Sequence, residues 1–199
     1  TGFYKHINLN TWDNVDILKL INTNYPNYKN NYEKITDLRY KCDLARLFIL
    51  YEYGGYYVDI DQESLLPFDN FGITNNTNLV LSRSVLSGDI SNGFIYVKHK
   101  KDPFIKECID AYISDLIKHN YSYTACKTMT DVVKKNEHLN MLMLREKNFK
   151  NEKDCDNVLD FWKSFYFLNE KGDKLMRSRY DNFYTDKGIT DEDKLVDFN

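Results

Sequence analysis

Residues 42–61 read CDLARLFILYEYGGYYVDID, and the fold turns on how the second half of that stretch is read. A broad apolar stripe through Leu38, Ala45, Phe48 and Ile49 predicts a strong helix over residues 32–53. Gly54 or Gly55 supplies the left-handed stop that ends it. Tyr56-Tyr57-Val58-Asp59-Ile60-Asp61 then reads as a strand. Residues two apart on a strand face the same side, so Asp59 and Asp61 are expected to project together, α-carbons about 6.6 Å apart at ~3.3 Å per residue. Val58 and Ile60 face the other way, into packing.

Carboxylates are poor strand formers, so a pair on one face needs compensation. In open α/β sheets ligands collect beyond the carboxyl ends of the strands. A hard divalent cation there removes the repulsion, which points to Mg²⁺, Mn²⁺ or Ca²⁺. An EF-hand is excluded, because Ser64 stands where its loop needs glycine and Asn70 where it needs glutamate. The spacing alone is a weak signal, since most such pairs are solvated surface carboxylates. Context strengthens it. Asp43 and Arg46 are three apart and share a helix face. Alone they read as a surface ion pair worth little. Their helix, however, runs through Gly-Gly straight into the aspartate pair, an order that can gather Asp43, Arg46, Asp59 and Asp61 around one cleft.

Outward from this core, Val15, Leu18 and Ile21 (with Ile17) have helical spacing, and that helix should stop near Tyr25, before Pro26. TNLVLSRS (77–84) and NGFIYVKH (92–99) read as strands separated by a turn-like VLSGDIS (85–91). DPFIKECIDAYISDLIKHN (102–120) reads as an amphipathic helix capped by Asp102, with Pro103 first. KTMTDVVKKNE (127–137) reads as a further helix and SFYFLN (164–169) as a strand. Alternating strands and helices imply an α/β domain with a mainly parallel sheet. No repeat or long linker divides the chain. One domain over 1–199 is expected, its polar tail at about 186–199 loose.

A net charge of -3 offers no electrostatic reason for a nucleic-acid partner. No run of about 18 apolar residues predicts a membrane span, and the first ten residues lack the apolar core of a signal peptide. Cys42, Cys108, Cys126 and Cys155 form no C-x-x-C pair and no zinc spacing. They read as reduced thiols in a cytoplasmic setting.

The stretch CDLARLFILYEYGGYYVDIDQESLLPFDNF (42–71) resembles the DXD-containing sugar transferases, which include yeast α-1,6-mannosyltransferases, capsular-polysaccharide transferases and the large glucosylating toxins. The shared pattern is D-x-x-R on a helix and then Y-G-G-x-Y-x-D-x-D. Asp59 lies sixteen positions after Asp43, the family's interval. The resemblance covers about residues 10–135 and is specific over 37–70. It implies a GT-A-like, Rossmann-related fold, a UDP- or GDP-sugar donor, Mn²⁺ or Mg²⁺, a glycan or protein acceptor, and retention of anomeric configuration. It further implies that Asp61 ligates the metal, that Asp59 contacts the nucleotide ribose and helps hold the metal, and that Asp43 and Arg46 bind donor-sugar hydroxyls. ISNGFIYVKHKKDPFI (90–105) is similar to the family's Asn-containing strand, which makes Asn92 a donor-sugar candidate; the competing reading of Asn92 is a turn residue before Gly93.

Two departures stand out. The family's opening strand, which carries part of the nucleotide site, has no counterpart here, which reads as a fragment, a shortened relative, or a chain that binds its nucleotide differently. The C-terminal element that completes the toxins' metal shell is also missing, and the acidic run Asp191-Glu192-Asp193 reads as solvated. Three other readings stand beside the transferase: a metal-dependent nucleotide-sugar hydrolase, a degenerate transferase fold that binds sugar or protein without turnover, and a structural protein. Two metal sites would favour the first, and donor hydrolysis with Mn²⁺ separates an enzyme from the second. The third leaves four polar residues around one cleft unexplained.

Overall fold

The computed structural model describes residues 9–136, 140–149 and 165–178. They fall into two compact units, one within Gly55–Lys98 and His138–Phe183, the other within Asn8–Gly54 and His99–Glu137. The predicted tail and Asp191-Glu192-Asp193 lie outside the described residues. Among the described residues no helix is long and apolar enough to cross a membrane.

The second unit is helical. Helix α1 (Asn14–Asn24) opens with a reciprocal capping box between Asp13 and Asp16, and it stops before Pro26 as predicted. Its buried residues are Ile17, Leu20 and Ile21, whereas Val15 is 71% exposed. A short 3₁₀ turn (Pro26–Tyr28) leads into α2 (Lys29–Lys34). The single long helix expected over 32–53 is therefore interrupted. Ile35 and Asp37 are extended, and the Asp37 side chain accepts the Arg39 N–H to start α3 (Leu38–Tyr53) afresh. Gly54, at φ +65°, ends α3. Helix α4 (Pro103–Lys118) starts with the predicted Asp102 cap and Pro103, and α5 (Ala125–Lys135) is capped by Thr124. Phe48, Ile109, Tyr112, Leu116 and Met129 are fully buried within this unit.

Two phenol–acid–lysine clusters tie α1 and its following turn to α3 and α4. The Tyr25 hydroxyl donates to Glu52 at 2.5 Å, and Lys101 Nζ donates to the Tyr25 oxygen at 2.7 Å and to Glu52 at 2.5 Å. One turn on, Tyr28 donates to Asp110 at 2.6 Å, and Lys106 bridges both. Both tyrosine rings pack on Phe48, at 4.9 and 5.6 Å.

The first unit is a seven-stranded sheet: β1 (Gly55–Val58), β2 (Gln62–Ser64), β3 (Leu79–Arg83), β4 (Ile90–Val97), β5 (Met141–Asn148), β6 (Phe165–Leu168) and β7 (Lys174–Ser178). Their order is β1-β4-β3-β5-β6-β7-β2. This corrects the mainly parallel, Rossmann-related GT-A-like expectation. Only β3–β5 is parallel; every other pair is antiparallel. The reason is connection length. Parallel neighbours need a crossover of a dozen or more residues; the helical insertion between β4 and β5 lets β5 return beside β3, whereas β3 and β4 are joined by residues 84–89 and β6 and β7 by residues 169–173, too few for one. The turns between β3 and β4 and between β6 and β7, with Gly88 at φ +73° and Gly172 at φ +85°, reverse the chain.

The two edge strands, β1 and β2, are separated by residues 59–61 alone. The sheet therefore curls until its ends almost meet, nearly closing into a barrel. Phe68, Phe71, Phe94, Leu144, Phe167 and Met176 fill its interior cluster, against which Val58 and Tyr96 pack. Glu63 and Arg177 stand opposite each other in the β2–β7 register and are ion-paired.

Burial, followed by the bond to Glu52, pushes the Tyr25 phenol up to about 12; burial and then Asp110 raise Tyr28. A phenol raised in the folded state contributes stability that is complete below its unfolded value of about 10 and is lost as pH climbs through the folded value. The melting temperature should therefore fall between about pH 10 and 12, and fall less steeply in Tyr25→Phe; thermal melts across that range check it.

Candidate active site

The motif Asp59-Ile60-Asp61 sits at the curl of the sheet. The β1–β4 ladder pairs Tyr57 with Ile95 and Val58 with Phe94. It runs one step past the strand, where the Asp59 N–H donates to the Gly93 carbonyl at 2.8 Å. The Gln62 N–H then donates to the Asp59 carbonyl at 3.0 Å, closing a four-residue turn. The strand expected through Asp61 thus ends at Val58, and the two aspartates are the first and third residues of a turn. Ile60, expected to pack, is 67% exposed. A turn also explains the composition better, because aspartate favours turns and disfavours strands.

The Asp59 carboxylate is held. Tyr57, two residues earlier on the same strand face, donates its hydroxyl to Asp59 Oδ1 at 2.6 Å. Oδ1 of Asp61 and Oε1 of Gln62 are shielded from solvent. Asn92 lies within β4, immediately before the Gly93 that bonds Asp59, so it is a strand residue and not a turn residue.

Asp43 and Arg46 belong to the helical unit, where they face each other across one turn of α3. Arg46 Nη2 is 3.1 Å from Asp43 Oδ1, and Arg46 Nε donates to the Cys42 carbonyl at 3.3 Å. The other Asp43 oxygen accepts the Ala125 N–H at 3.4 Å. That N–H is one of the donors a helix start leaves without an intrahelical partner, here at α5. Asp43 is 8% and Arg46 6% exposed, so the surface-pair reading does not hold. Tyr112 donates to the Tyr123 carbonyl at 2.8 Å. Burial first, then the Asp43 charge, raises its phenol far above the ordinary range.

Asp59, Asp61 and Asn92 belong to the sheet unit. Sequence reasoning missed Tyr57, Gly93 and the Ala125 N–H. The first could have been found, since Tyr57 and Asp59 have same-face strand spacing.

For a metal, the donor set is two carboxylates on one tight turn. Among the described residues no three or more His, Cys, Asp or Glu side chains gather in a way that could hold an ion. Two hard oxygen donors do fit Mg²⁺ or Mn²⁺, which commonly take one or two carboxylates and fill the remaining positions with phosphate oxygens and water.

Residues 4–78 match the family described as "Glycosyltransferase sugar-binding region containing DXD motif". That segment, under half of the chain, contains Asp43, Arg46, Asp59 and Asp61. A solved structure titled "PaToxG Glycosyltransferase" is similar at 21% identity and a TM-score of 0.45, over 57% of this chain and 44% of that one. The chain thus spans less than half of that structure's length. Comparison with curated proteins finds no match.

Removing one partner from a buried ion pair typically costs about 3–5 kcal/mol, because the other charge is left uncompensated. Arg46→Ala should therefore destabilise the protein by roughly that amount. Urea denaturation of the variant against the wild type checks it, and a change below about 1 kcal/mol would return the pair to the surface class.

Proposed function

We propose that this protein is a retaining glycosyltransferase that moves a hexose-type sugar from a UDP- or GDP-sugar to an acceptor hydroxyl on a glycan or protein. The observation that carries the reading is the Asp59–Asp61 turn, with Asp59 fixed by Tyr57 and by the β4 backbone, inside a segment that matches a glycosyltransferase sugar-binding region.

The reaction leaves a nucleoside diphosphate whose charge grows as the glycosidic bond breaks. Asp59 and Asp61 would hold Mn²⁺ or Mg²⁺, which supplies Lewis-acid neutralisation of that charge. Asp59 also accepts from a ribose hydroxyl, a role its fixed carboxylate suits. Arg46 and Asp43 are assigned to hydroxyls of the donor sugar, where a planar guanidinium fork donates directed hydrogen bonds. Asn92 is assigned the same class of contact. The sum is electrostatic stabilisation and positioning with no covalent intermediate on the enzyme, so attack and departure take place on one face of an oxocarbenium-like sugar.

The test is calorimetric and kinetic. Mn²⁺ alone should bind weakly, and much more tightly with UDP or GDP, whose phosphates add ligands to the two carboxylates. Asp61→Asn should melt like the wild type and lose metal-dependent nucleotide binding. Release of UDP or GDP from its sugar should fall at least about a hundredfold, the scale on which a single electrostatic stabiliser acts. Tight Mn²⁺ binding without nucleotide, or undiminished turnover in Asp61→Asn, would sink the assignment.

A further inference from the structure

The backbone of Gly93 passes close behind the Asp59 carboxylate. A Cβ built on Gly93 would lie 2.9 Å from Asp59 Oδ2 and 3.6 Å from its Cγ, closer than a carbon and a non-bonded oxygen settle. The same point is 3.6 Å from Gln62 Nε2. The carboxylate that opens the turn and the amide that follows it therefore converge on one missing side chain. Gly93 has no left-handed backbone angle to account for the glycine. It lies inside β4, where glycine weakens a strand and commonly marks a close approach of other atoms. What its missing side chain provides is the space that Asp59 occupies.

We propose that Gly93 is a positioning residue of the Asp59–Asp61 site: the gap at its Cα seats the Asp59 carboxylate in the pose that Tyr57 holds from the other oxygen. The two constraints are independent. The Tyr57 hydroxyl donates to Oδ1 at 2.6 Å, and the Gly93 gap receives Oδ2. The main-chain bond from Asp59 N–H to the Gly93 carbonyl, 2.8 Å, keeps the two residues in register. A methyl group at residue 93 turns the carboxylate out of its seat, because a carboxylate rotates about χ1 and χ2 more easily than a ladder-bonded backbone shifts. The damage is then to the site and not to the fold. The inference rests on the transferase reading only for what the carboxylate does, not for where it sits.

Gly93→Ala and Asp59→Gly, singly and together, test it with two readouts. Crystal structures of wild type and Gly93→Ala read the carboxylate without any ligand. A rotated Asp59 side chain on an unchanged β4 is the expected result, and an unmoved carboxylate overturns the proposal. Calorimetry with UDP or GDP plus Mn²⁺ reads the consequence. Gly93→Ala should melt within a few degrees of the wild type and weaken binding at least about tenfold, inside the hundredfold that a 1 Å misplacement can cost. In the Asp59→Gly background, where binding is already lost, the readout is the melting temperature, and Gly93→Ala should not lower it, since the clashing atom is gone. A melting temperature lowered equally in both backgrounds, or its collapse, would make Gly93 a scaffold residue and overturn the proposal. Wild type that binds neither nucleotide with Mn²⁺ would sink the transferase reading, while the crystal structures would still decide the seat.

Discussion

The sheet unit depends on a single constraint of chain length. Only residues 59–61 separate β1 from β2, and those strands are the two edges of the sheet. Three residues span little more than ~10 Å even when extended, whereas seven flat strands at ~4.8 Å spacing would set the edges roughly 29 Å apart. The sheet has to curl. The turn that pulls its edges together is the same segment that carries both aspartates, so closure of the sheet and placement of the carboxylates are one event. The 3.0 Å bond from Gln62 N–H to the Asp59 carbonyl and the 2.8 Å bond from Asp59 N–H to Gly93 are the contacts through which this happens.

That arrangement explains why a charged turn is tolerated beside an apolar interior. Val58 packs against the cluster around Phe68, Phe71 and Phe94, and Tyr56 stacks on Phe68 with ring centroids 4.6 Å apart. The next residue on that face is Ile60, and the turn lifts it into solvent. The chain therefore spends its apolar residues up to Val58 and then leaves the core. Tyr57, on the opposite face, brings a phenol whose hydroxyl reaches the first carboxylate and fixes its orientation. Pre-set carboxylates of this kind suit chemistry in which charge must be met without reorganisation.

Much of this was legible in the sequence, and the reasons for the rest are physical. The helices α1, α4 and α5 announce themselves through apolar spacing, and α4 also through the cap Asp102; the Thr124 cap that starts α5 two residues before the expected Lys127 was not read. The hairpin of β3 and β4 is equally plain, with its turn and Gly88. The reading of a mainly parallel sheet failed because it counted alternation of elements and not the length of their connections; the turn already seen between β3 and β4 forces an antiparallel pair. Strands β2, β5 and β7 escaped notice because QES, MLMLREKN and KLMRS mix charge with apolar residues on short strands. Their pairing is decided by partners far along the chain. The aspartate pair was found by type and spacing, but the pleat was carried three residues too far, past the point where Asp59 begins a turn.

The two acid-bearing motifs solve opposite problems. Asp43 is compensated from within: Arg46 meets one oxygen and the N–H of Ala125 the other, all beneath the surface of the helical unit. Such a pair rarely adds net stability over a well-packed apolar replacement, because desolvation offsets the attraction. A fold that needed only to pack α3 against α5 would do as well with leucine and methionine there, so retention of the charges calls for a reason other than stability. The donor-sugar role proposed for them supplies one, since a guanidinium already anchored by its own carboxylate loses little freedom when a hydroxyl arrives. Asp59 and Asp61 stand at the other extreme. Asp59 is steadied by a phenol and by the backbone of β4, and the described residues bring no third metal-ligating side chain to the pair. In the proposed reaction the donor's phosphates would supply ligands to a cation on this pair, which would couple metal affinity to nucleotide affinity.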